Sequence, residues 1–322
     1  MKSILPICFL LLLSIPCYSW GFFGHQKINY YSIFLLPPEM IVFYKQHADF
    51  LTEHAVDPDK RRYILAAEGP RHYIDMDHYG MYPFDSLPRR WEDAVKKYTD
   101  DSLLRHGIVP WWIIIMKQRL TTAFKNKNAT QILKLSADIG HYIADAHVPL
   151  HTSSNHNGQL TGQQGIHGFW ESRIPELLAD KEWNLYGGKA WYIKDPSSFI
   201  WNVILQSAAA TDSVLLMEKQ LTKSFRPDQK FSFEERKGKI IRQYSSSFCH
   251  AYNDMLNGMV ERRMLSSITA VASFWYTAWV DAGQPDLLSL IPAAFSKEDS
   301  VEFDKLQKAW MKGEIMGREE GE

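Results

Sequence analysis

The stretch HYIADAHVPLH, residues 141–151, combines a helical apolar pattern with side chains that bind metals in many proteins. His141 and Asp145 are four residues apart, so a helix places the imidazole and the carboxylate one turn apart on the same face. Such a pair can supply two ligands to one metal ion. Pro149 interrupts the helix before His151, so we expect His147 to support the site or the fold rather than to bind.

A second stretch of the same kind, IHGFWES, follows at residues 166–172. His167 and Glu171 repeat the four-residue spacing, and a glycine-rich loop at residues 155–165 separates them from His151. Imidazole and carboxylate are ligands that zinc prefers. A third pair, His250 and Asp254, stands alone, and a single pair of this spacing arises readily by chance. The concentration of ligand-type residues between positions 141 and 171 therefore predicts a metal site there.

The rest of the chain is mainly helical by its apolar spacing. Helical patterns also cover residues 113–124, 131–147, 197–221 and 252–279, and we find no set of alternating β-branched runs. Turn-forming residues mark loops at 77–87, 155–165 and 186–188. No repeat or long linker divides the chain, so we predict an all-α fold with a single multi-helix domain.

The first nineteen residues have the organisation of a secretory signal peptide. Lys2 is followed by an apolar run from Ile4 to Ile15 and by a short exit that ends at Ser19. This run is too short to cross a bilayer as a helix, which needs about 20 apolar residues. We expect cleavage after Ser19 rather than anchoring, with a lipid-modified Cys17 as a lesser alternative. The mature protein then begins at Trp20, is secreted or periplasmic, and keeps no stable membrane anchor.

Composition gives little sign of a charged partner. The formal net charge is −1, from 36 basic and 37 acidic residues, so no global basic field favours nucleic acid or an acidic membrane. An anionic ligand must therefore be held locally. The mature chain keeps only Cys249, which excludes an internal disulfide and leaves bound metal or a large core to fix the loops.

Taken together, the motifs resemble the superfamily of zinc-dependent phospholipases C and single-strand-specific zinc nucleases. They occur in order through roughly the first half of the mature chain. They are Trp20 and His25 at W-x4-H spacing, HAVDPDKRR with Asp57, RHYIDMD with His72, GHYIADAHVPLH and IHGFWES.

The resemblance implies three zinc ions. The first is bound by His25 and by the terminal amine and carbonyl of Trp20, and a free α-amine with a pKa near ~7.7 can lose its proton and coordinate. The family's other ligands map onto Asp57, His72, His141 and Asp145 for the second ion, with Asp145 bridging to the first, and onto His151, His167 and Glu171 for the third. By the resemblance, Asp57 and Asp145 are also the candidate catalytic residues. Asp57 can act as the base in a phospholipase reaction, and Asp145 bridges the metal pair that holds the nucleophile.

Clustered zinc ions suit the hydrolysis of phosphate diesters, because they acidify water and neutralise phosphoryl charge. By the resemblance, the Asp145-bridged pair holds the nucleophile and the third zinc stabilises the leaving oxygen. The substrate is either a phospholipid or single-stranded nucleic acid. Glu171, the sixteen-residue step from His151 to His167, and HYIDMD are similar to the phospholipases C. The five-residue step from Trp20 to His25 and the fifteen-residue step from Asp57 to His72 are similar to the nucleases.

We slightly favour the phospholipase C reading, because the nuclease-type glycine-glycine-asparagine stretch is replaced by NHNGQLTGQQG. Asp75 is a possible supporting or substrate-contacting carboxylate. Several aromatic residues can stack on bases, cage a choline headgroup, or simply belong to the core: Tyr73, Tyr79, Tyr82, Phe169 and Trp170. The alternative from another class is a non-catalytic helical protein stabilised by zinc. The hydrolase domain is predicted at residues 20–286, with a C-terminal tail at 287–322 and no evident protein partner.

Overall fold

The computed structural model describes residues 21–82, 84–236 and 238–316. The predicted signal peptide and Trp20 lie outside these residues. Helices dominate the described chain, and its sheet is one two-stranded antiparallel hairpin, which confirms the all-α class. The helices and strands are α1 (Gly21–Ile33), α2 (Pro38–Gln46), α3 (Ala48–Glu53), α4 (Asp57–Arg61), α5 (Trp91–Tyr98), α6 (Asp100–His106), α7 (Val109–Lys125), α8 (Ala129–Ala146), α9 (Ile166–Gly168), α10 (Ile174–Glu182), α11 (Pro196–Ser224), α12 (Pro227–Lys230), β1 (Phe231–Arg236), β2 (Lys239–Tyr244), α13 (Ser246–Met255), α14 (Met259–Asp281) and α15 (Lys297–Lys312).

Helix α8 lies at the centre of the fold and packs against α1, α7 and α14. Asn128 caps its first turn by accepting a hydrogen bond from the backbone of Gln131. Its inward face buries aliphatic side chains, and the Trp275 indole of α14 donates to the carbonyl of Ser136 at 3.0 Å. The predicted helix at 131–147 is therefore confirmed, and its last two turns end inside the protein.

Helices α1 and α8 approach each other closely at Gly140. A Cβ atom at this position would lie 2.0 Å from Oδ1 of Asn29 in α1, so only glycine fits. The Asn29 amide also donates to the carbonyls of Leu51 and Ala137, at 3.2 and 3.1 Å. This contact places His25, one turn before Asn29, beside His141, which follows Gly140.

Helix α11 supports the chain that leaves α8. Ser207 Oγ donates to the carbonyl of Ala146 at 2.7 Å, and Thr211 Oγ1 donates to that of Pro149 at 2.8 Å. Helix α11 is long and apolar enough to cross a membrane by length and composition alone, but the core helix of a soluble protein can meet the same criteria. These buried contacts hold the 3₁₀ turn Pro149–Thr152, which carries His151.

Three parts of the fold differ from the simplest reading of the sequence. The helical pattern at 252–279 is divided between α13 and α14, because Asn257 and Gly258 adopt positive φ angles of 50° and 66°. The β1–β2 hairpin was not predicted. The expected C-terminal tail contains α15, which packs on α4 and buries Leu306.

Candidate metal centre

Three groups of metal-ligand side chains come together in the described part of the chain. Within each group the ligand atoms lie within 4.8 Å of one another, and every member is buried. The first group has His25, His141 and Asp145; the second has Asp59, His72 and His141; the third has His151, His167 and Glu171. Each group can hold a metal ion.

Asp145 lies between the first two groups. Its Oδ1 is 3.4 Å from Nε2 of His25, while its Oδ2 is 2.9 Å from Nδ1 of His72 and 3.3 Å from Nε2 of His141. The two carboxylate oxygens thus face different partners, as a bridging ligand requires. His141 is common to both groups, so these two sites are neighbours at the end of α8.

Hydrogen bonds to backbone carbonyls orient two of the histidines. His141 Nδ1 is 2.9 Å from the carbonyl of Ala55, and His151 Nδ1 is 2.7 Å from that of His72. A carbonyl only accepts, so each Nδ1 carries the proton and each Nε2 presents its lone pair to the group. This is the usual tautomer control of metal-binding histidines. The hydrogen bond from His151 to the carbonyl of His72 also connects the third group to the second.

The electrostatics favour cation binding. Burial and, to a smaller extent, the neighbouring His141 lower the pKa of His25 to about 4, so His25 is neutral at pH 7. Burial opposes the ionisation of Asp145, but His141 and His151 outweigh it and hold the pKa of Asp145 well below its usual value. Burial also lowers the pKa of His141, yet Asp145 and Asp59 raise it overall. Without metal, protonated His141 stabilises the neighbouring carboxylates. A bound divalent cation would take over this role by coordinating the carboxylates directly.

The Asp59 carboxylate provides a test of whether the donors fit a metal. Its two oxygens are buried and form no hydrogen bond with any described residue. Oδ1 lies 3.5 Å from Nε2 of His141 and 3.8 Å from Nδ1 of His72. A buried ionised carboxylate is costly unless it is paired or coordinates a metal. The donor set of the second group therefore fits a cation.

Asp59, rather than the predicted Asp57, occupies the second group. Asp57 contacts His54, with Oδ2 2.6 Å from Nδ1, and Lys60, with Nζ 3.2 Å from Oδ1. Successive helical residues are rotated by about 100°, so two positions apart on α4 point to nearly opposite sides. The structure thus groups Asp59 with His72 and His141, whereas Asp57 faces His54 and Lys60 outside the metal groups.

The third group contains the residues that the sequence predicted. Glu171 Oε2 lies 3.1 Å from Nε2 of His167 and 3.4 Å from Nε2 of His151. Glu171 belongs to a short π-helical segment, Phe169–Arg173, inserted between α9 and α10. Such segments often occur at functional sites. Here the segment places Glu171 on the same side as His167, which precedes it by one helical turn.

The glycine-rich loop at 155–165 is built around buried polar side chains. Asn157 Oδ1 accepts hydrogen bonds from the backbone amides of Gly165, at 2.9 Å, and His167, at 3.3 Å. Gln163 Nε2 donates to the carbonyl of Leu215 at 2.8 Å and also bonds the Glu218 carboxylate. The loop is thereby attached to α11, and Asn157 fixes the start of the helix that presents His167. Asn157 was not among the residues predicted from the sequence.

Glu68 is a second buried polar residue beside the groups that was not predicted from the sequence. It is buried and hydrogen bonds with the Tyr142 hydroxyl and the Arg71 guanidinium. Its Oε1 is 3.7 Å from Nε2 of His72, on the side of the ring away from Asp145. Burial opposes ionisation, but His72 and Arg61 lower the pKa of Glu68 far below its usual value. Glu68 is therefore an anion that orients the candidate ligand His72. Its only signal in the sequence was the four-residue spacing to His72.

Other candidate residues lie outside the three groups. His147 is buried with its Nδ1 2.7 Å from the carbonyl of Ile143, as expected for a supporting residue. Asp75 lies 3.3 Å from His106 Nδ1. Most of the candidate aromatic residues are core: Tyr73, Tyr79, Phe169 and Trp170 are buried, and only Tyr82 is exposed.

Comparison with protein-family models and with curated protein sequences found no match. The residues and their positions are therefore what points to a metal centre. Eight residues on six separate segments supply the ligand atoms of the three groups. Seven of these residues, all except Asp59, were predicted as ligands from the sequence. Their convergence in three buried groups is the finding from which function has to be argued.

Proposed function

We propose that this protein is an exported zinc-dependent hydrolase of phosphate diesters, of the phospholipase C type. The observation that carries the proposal is the position of Asp145, whose two oxygens face His25 on one side and His72 with His141 on the other. A carboxylate shared by adjacent ligand groups is suited to a pair of metal ions, and paired ions act on phosphate esters in many hydrolases.

Zinc is the metal that the ligand chemistry favours. Five histidines and three carboxylates make up the groups, and imidazole suits zinc while magnesium and calcium prefer oxygen ligands. The sequence resemblance, with Trp20 as a further ligand of the first ion, supports the same choice. When bound, zinc would acidify water and neutralise charge on the phosphoryl oxygens.

The protein's own residues have distinct parts in this proposal. Asp145 holds the first two groups together, and Asp59 adds a negative charge to the second. The π-helical turn and Asn157 keep His167 and Glu171 facing His151 at the third. Since all these side chains are buried, they are preorganised, and a phosphate diester meets ligands that need little rearrangement.

The phospholipid reading is favoured over the nuclease reading by the aromatic residues near the groups. A nuclease site stacks nucleobases on accessible rings. Phe169 and Trp170 are buried beside Glu171, and Tyr73 is buried beside His72, so these rings are not available for stacking. A small headgroup at the metals needs no such platform. Single-strand-specific nuclease activity remains the alternative proposal, supported by the Trp20–His25 spacing.

Metal analysis and turnover on defined substrates test the proposal. The mature protein should bind zinc, hydrolyse bis(p-nitrophenyl) phosphate, and release diacylglycerol from phosphatidylcholine faster than it cleaves single-stranded DNA or RNA. A chelator should abolish these rates, and a preparation of Asp145→Asn controls for contaminating enzymes. Zinc binding without turnover of any diester would favour the non-catalytic alternative. Rapid cleavage of nucleic acid with slow lipid hydrolysis would favour the nuclease.

A further inference from the structure

We infer that three segments bordering the third metal group form a docking site for a lipid surface, the apolar rim. The segments are the loop after Tyr79, the glycine-rich loop and the β1–β2 hairpin, and their exposed apolar residues are Met81, Tyr82, Leu160, Phe233 and Ile240. These side chains are between 64% and 90% exposed. Among the exposed large hydrophobic residues of the described chain, only Val301 and Met311 on α15 fall in the same range. Large apolar side chains grouped at a surface commonly mark an interaction site.

The loop that follows Tyr79 is tied to the third group through Asp77. Ser153 Oγ donates to the Asp77 carboxylate at 2.9 Å, and the Ser154 amide donates to it at 3.0 Å. These serines immediately follow the turn that carries His151. Met81 and Tyr82, four and five residues beyond Asp77, are therefore presented from a loop anchored beside this ligand.

Leu160 lies on the glycine-rich loop between His151 and His167. Its backbone amide donates to Asn155 Oδ1 at 2.8 Å, so the tip of the loop has a defined conformation. The same loop positions His167 through Asn157. The exposure of Leu160 is therefore a property of an ordered loop that forms one side of the site.

The β1–β2 hairpin is attached to the π-helical segment that carries Glu171. Arg173 bonds the Glu234 carboxylate at 2.5 Å and the carbonyl of Tyr244 at 3.1 Å, and the Tyr244 ring stacks on Phe169 at 3.9 Å. Phe233 pairs with Arg242, and Glu235 pairs with Ile240. Alternate residues of a strand share a face, so Phe233 and Ile240 project from the same side of the hairpin.

The charge of the hairpin favours a membrane with anionic lipid. In the described part of the hairpin the basic side chains of Lys239 and Arg242 are exposed, and the carboxylate of Glu234 is already paired with Arg173. Glu235 is the opposing charge on the same face. Apolar side chains flanked by basic residues bind lipid interfaces through buried area and attraction to anionic headgroups. Met81, Leu160 and Ile240 offer no stacking surface for a nucleobase, whereas Tyr82 and Phe233 do, so single-stranded DNA is the competing occupant that the test below includes.

This inference rests on the proposed function, because a phospholipase must reach a substrate held in a lipid surface. Vesicle binding tests it separately from chemistry. Energy transfer from tryptophan to a dansyl-labelled lipid, recorded after rapid mixing of the metal-loaded protein with vesicles, measures docking before hydrolysis advances. The vesicles contain phosphatidylcholine with or without phosphatidylserine. The rate on bis(p-nitrophenyl) phosphate, which needs no interface, measures the metal centre in the same preparations.

The double variant Phe233→Glu, Ile240→Glu should bind vesicles at least ~10-fold more weakly, because two exposed apolar groups are lost and two anions are added. Its rate on the soluble diester should stay within about twofold of the wild type, since neither side chain belongs to the ligand groups. The matched control Val301→Glu, Met311→Glu makes the same change at residues 66% and 74% exposed on α15 and should bind as the wild type does. Binding should also be tighter with phosphatidylserine and weaker at high salt.

Several outcomes would overturn the inference. They are a wild-type protein that does not bind vesicles, a hairpin variant that binds normally, equal losses in both double variants, or hairpin-dependent binding of single-stranded DNA in place of vesicles. If the hairpin governs vesicle binding but no diester is hydrolysed, the docking surface stands and the proposed hydrolase function fails. If diesters are hydrolysed without vesicle binding, the proposed function stands and the docking surface fails.

Discussion

Replacing Asp59 and Asp57 separately by asparagine should affect the metal centre and the fold in different ways. The two substitutions are chemically identical and two residues apart. Asp59 lies with His72 and His141 in the second ligand group, and its oxygens form no hydrogen bond within the described chain. Asp57 instead contacts His54 and Lys60. We expect Asp59→Asn to lose metal from the second group and Asp57→Asn to keep it.

The expected magnitudes follow from these contacts. Loss of an outer partner of a metal ligand typically weakens metal binding 10- to 100-fold, so loss of a charged ligand should cost at least ~100-fold, or about 2.7 kcal/mol. Asp57→Asn breaks a charge-assisted pair that is largely buried, which should lower the free energy of unfolding by roughly 1–3 kcal/mol. The pKa of Asp57 is lowered by His54 and Lys60 against the opposing effect of burial, which agrees with a stabilising role of its charge.

Competition with a chromophoric chelator measures the zinc affinity of each variant, and denaturant unfolding in excess chelator measures the fold without metal. Asp59→Asn should give the lower zinc stoichiometry and a strongly reduced diesterase rate. Asp57→Asn should give full stoichiometry and a lower unfolding midpoint. Loss of zinc from Asp57→Asn with full retention by Asp59→Asn would refute the structural assignment and restore the assignment made from the sequence.

Four further predictions concern other residues. Asp145→Asn should cause the largest loss of zinc and activity of any carboxylate substitution, and near-normal metal content would show that Asp145 is not shared. One extra residue before Trp20 should remove one zinc, because an amide nitrogen is a poor ligand; elemental analysis of both forms decides this. Glu68→Gln should weaken zinc binding ~10- to 100-fold through His72, seen by chelator competition, and unchanged affinity would leave Glu68 a purely structural role. Burial lowers the pKa of His147 to about 3, so as the pH falls this histidine is protonated in the unfolded chain before it is protonated in the folded one. Between pH 6.5 and 5, the unfolding free energy of the wild type should therefore fall by about 1.6 kcal/mol more than that of His147→Leu.

Local spacing predicted those parts of the site that lie on one element. His141 with Asp145, and His167 with Glu171, were expected to share a helix face, and both pairs do so. Two aspartates only two residues apart in HAVDPDKRR could not be separated in this way, because the sequence does not show which side of a short helix faces inward. The choice of Asp59 depends on how α4 packs against α8, which is a tertiary contact.

The hairpin shows a different limit of the sequence analysis. FSFEERKGKIIRQY has a glycine at its turn and antiparallel pairing from Phe231 to Tyr244, but its apolar residues are few and lie partly in adjacent positions. An isolated two-stranded hairpin is marginal in water, so its formation depends on outside contacts. Arg173 and Phe169 supply them, and neither contact has a local sequence signature.

The same long-range contacts explain how the described part of the chain, which has Cys249 as its single cysteine and so no disulfide, can hold so many polar groups inside. The close approach at Gly140 brings His25 to His141, and the carbonyl of His72 orients His151 across almost eighty residues of sequence. A metal ion in each group would join these distant segments as a disulfide joins two, and would compensate carboxylates that are expensive to bury. Metal binding would then be coupled to folding, because the buried groups that would perform the chemistry would also stabilise the packing that positions them.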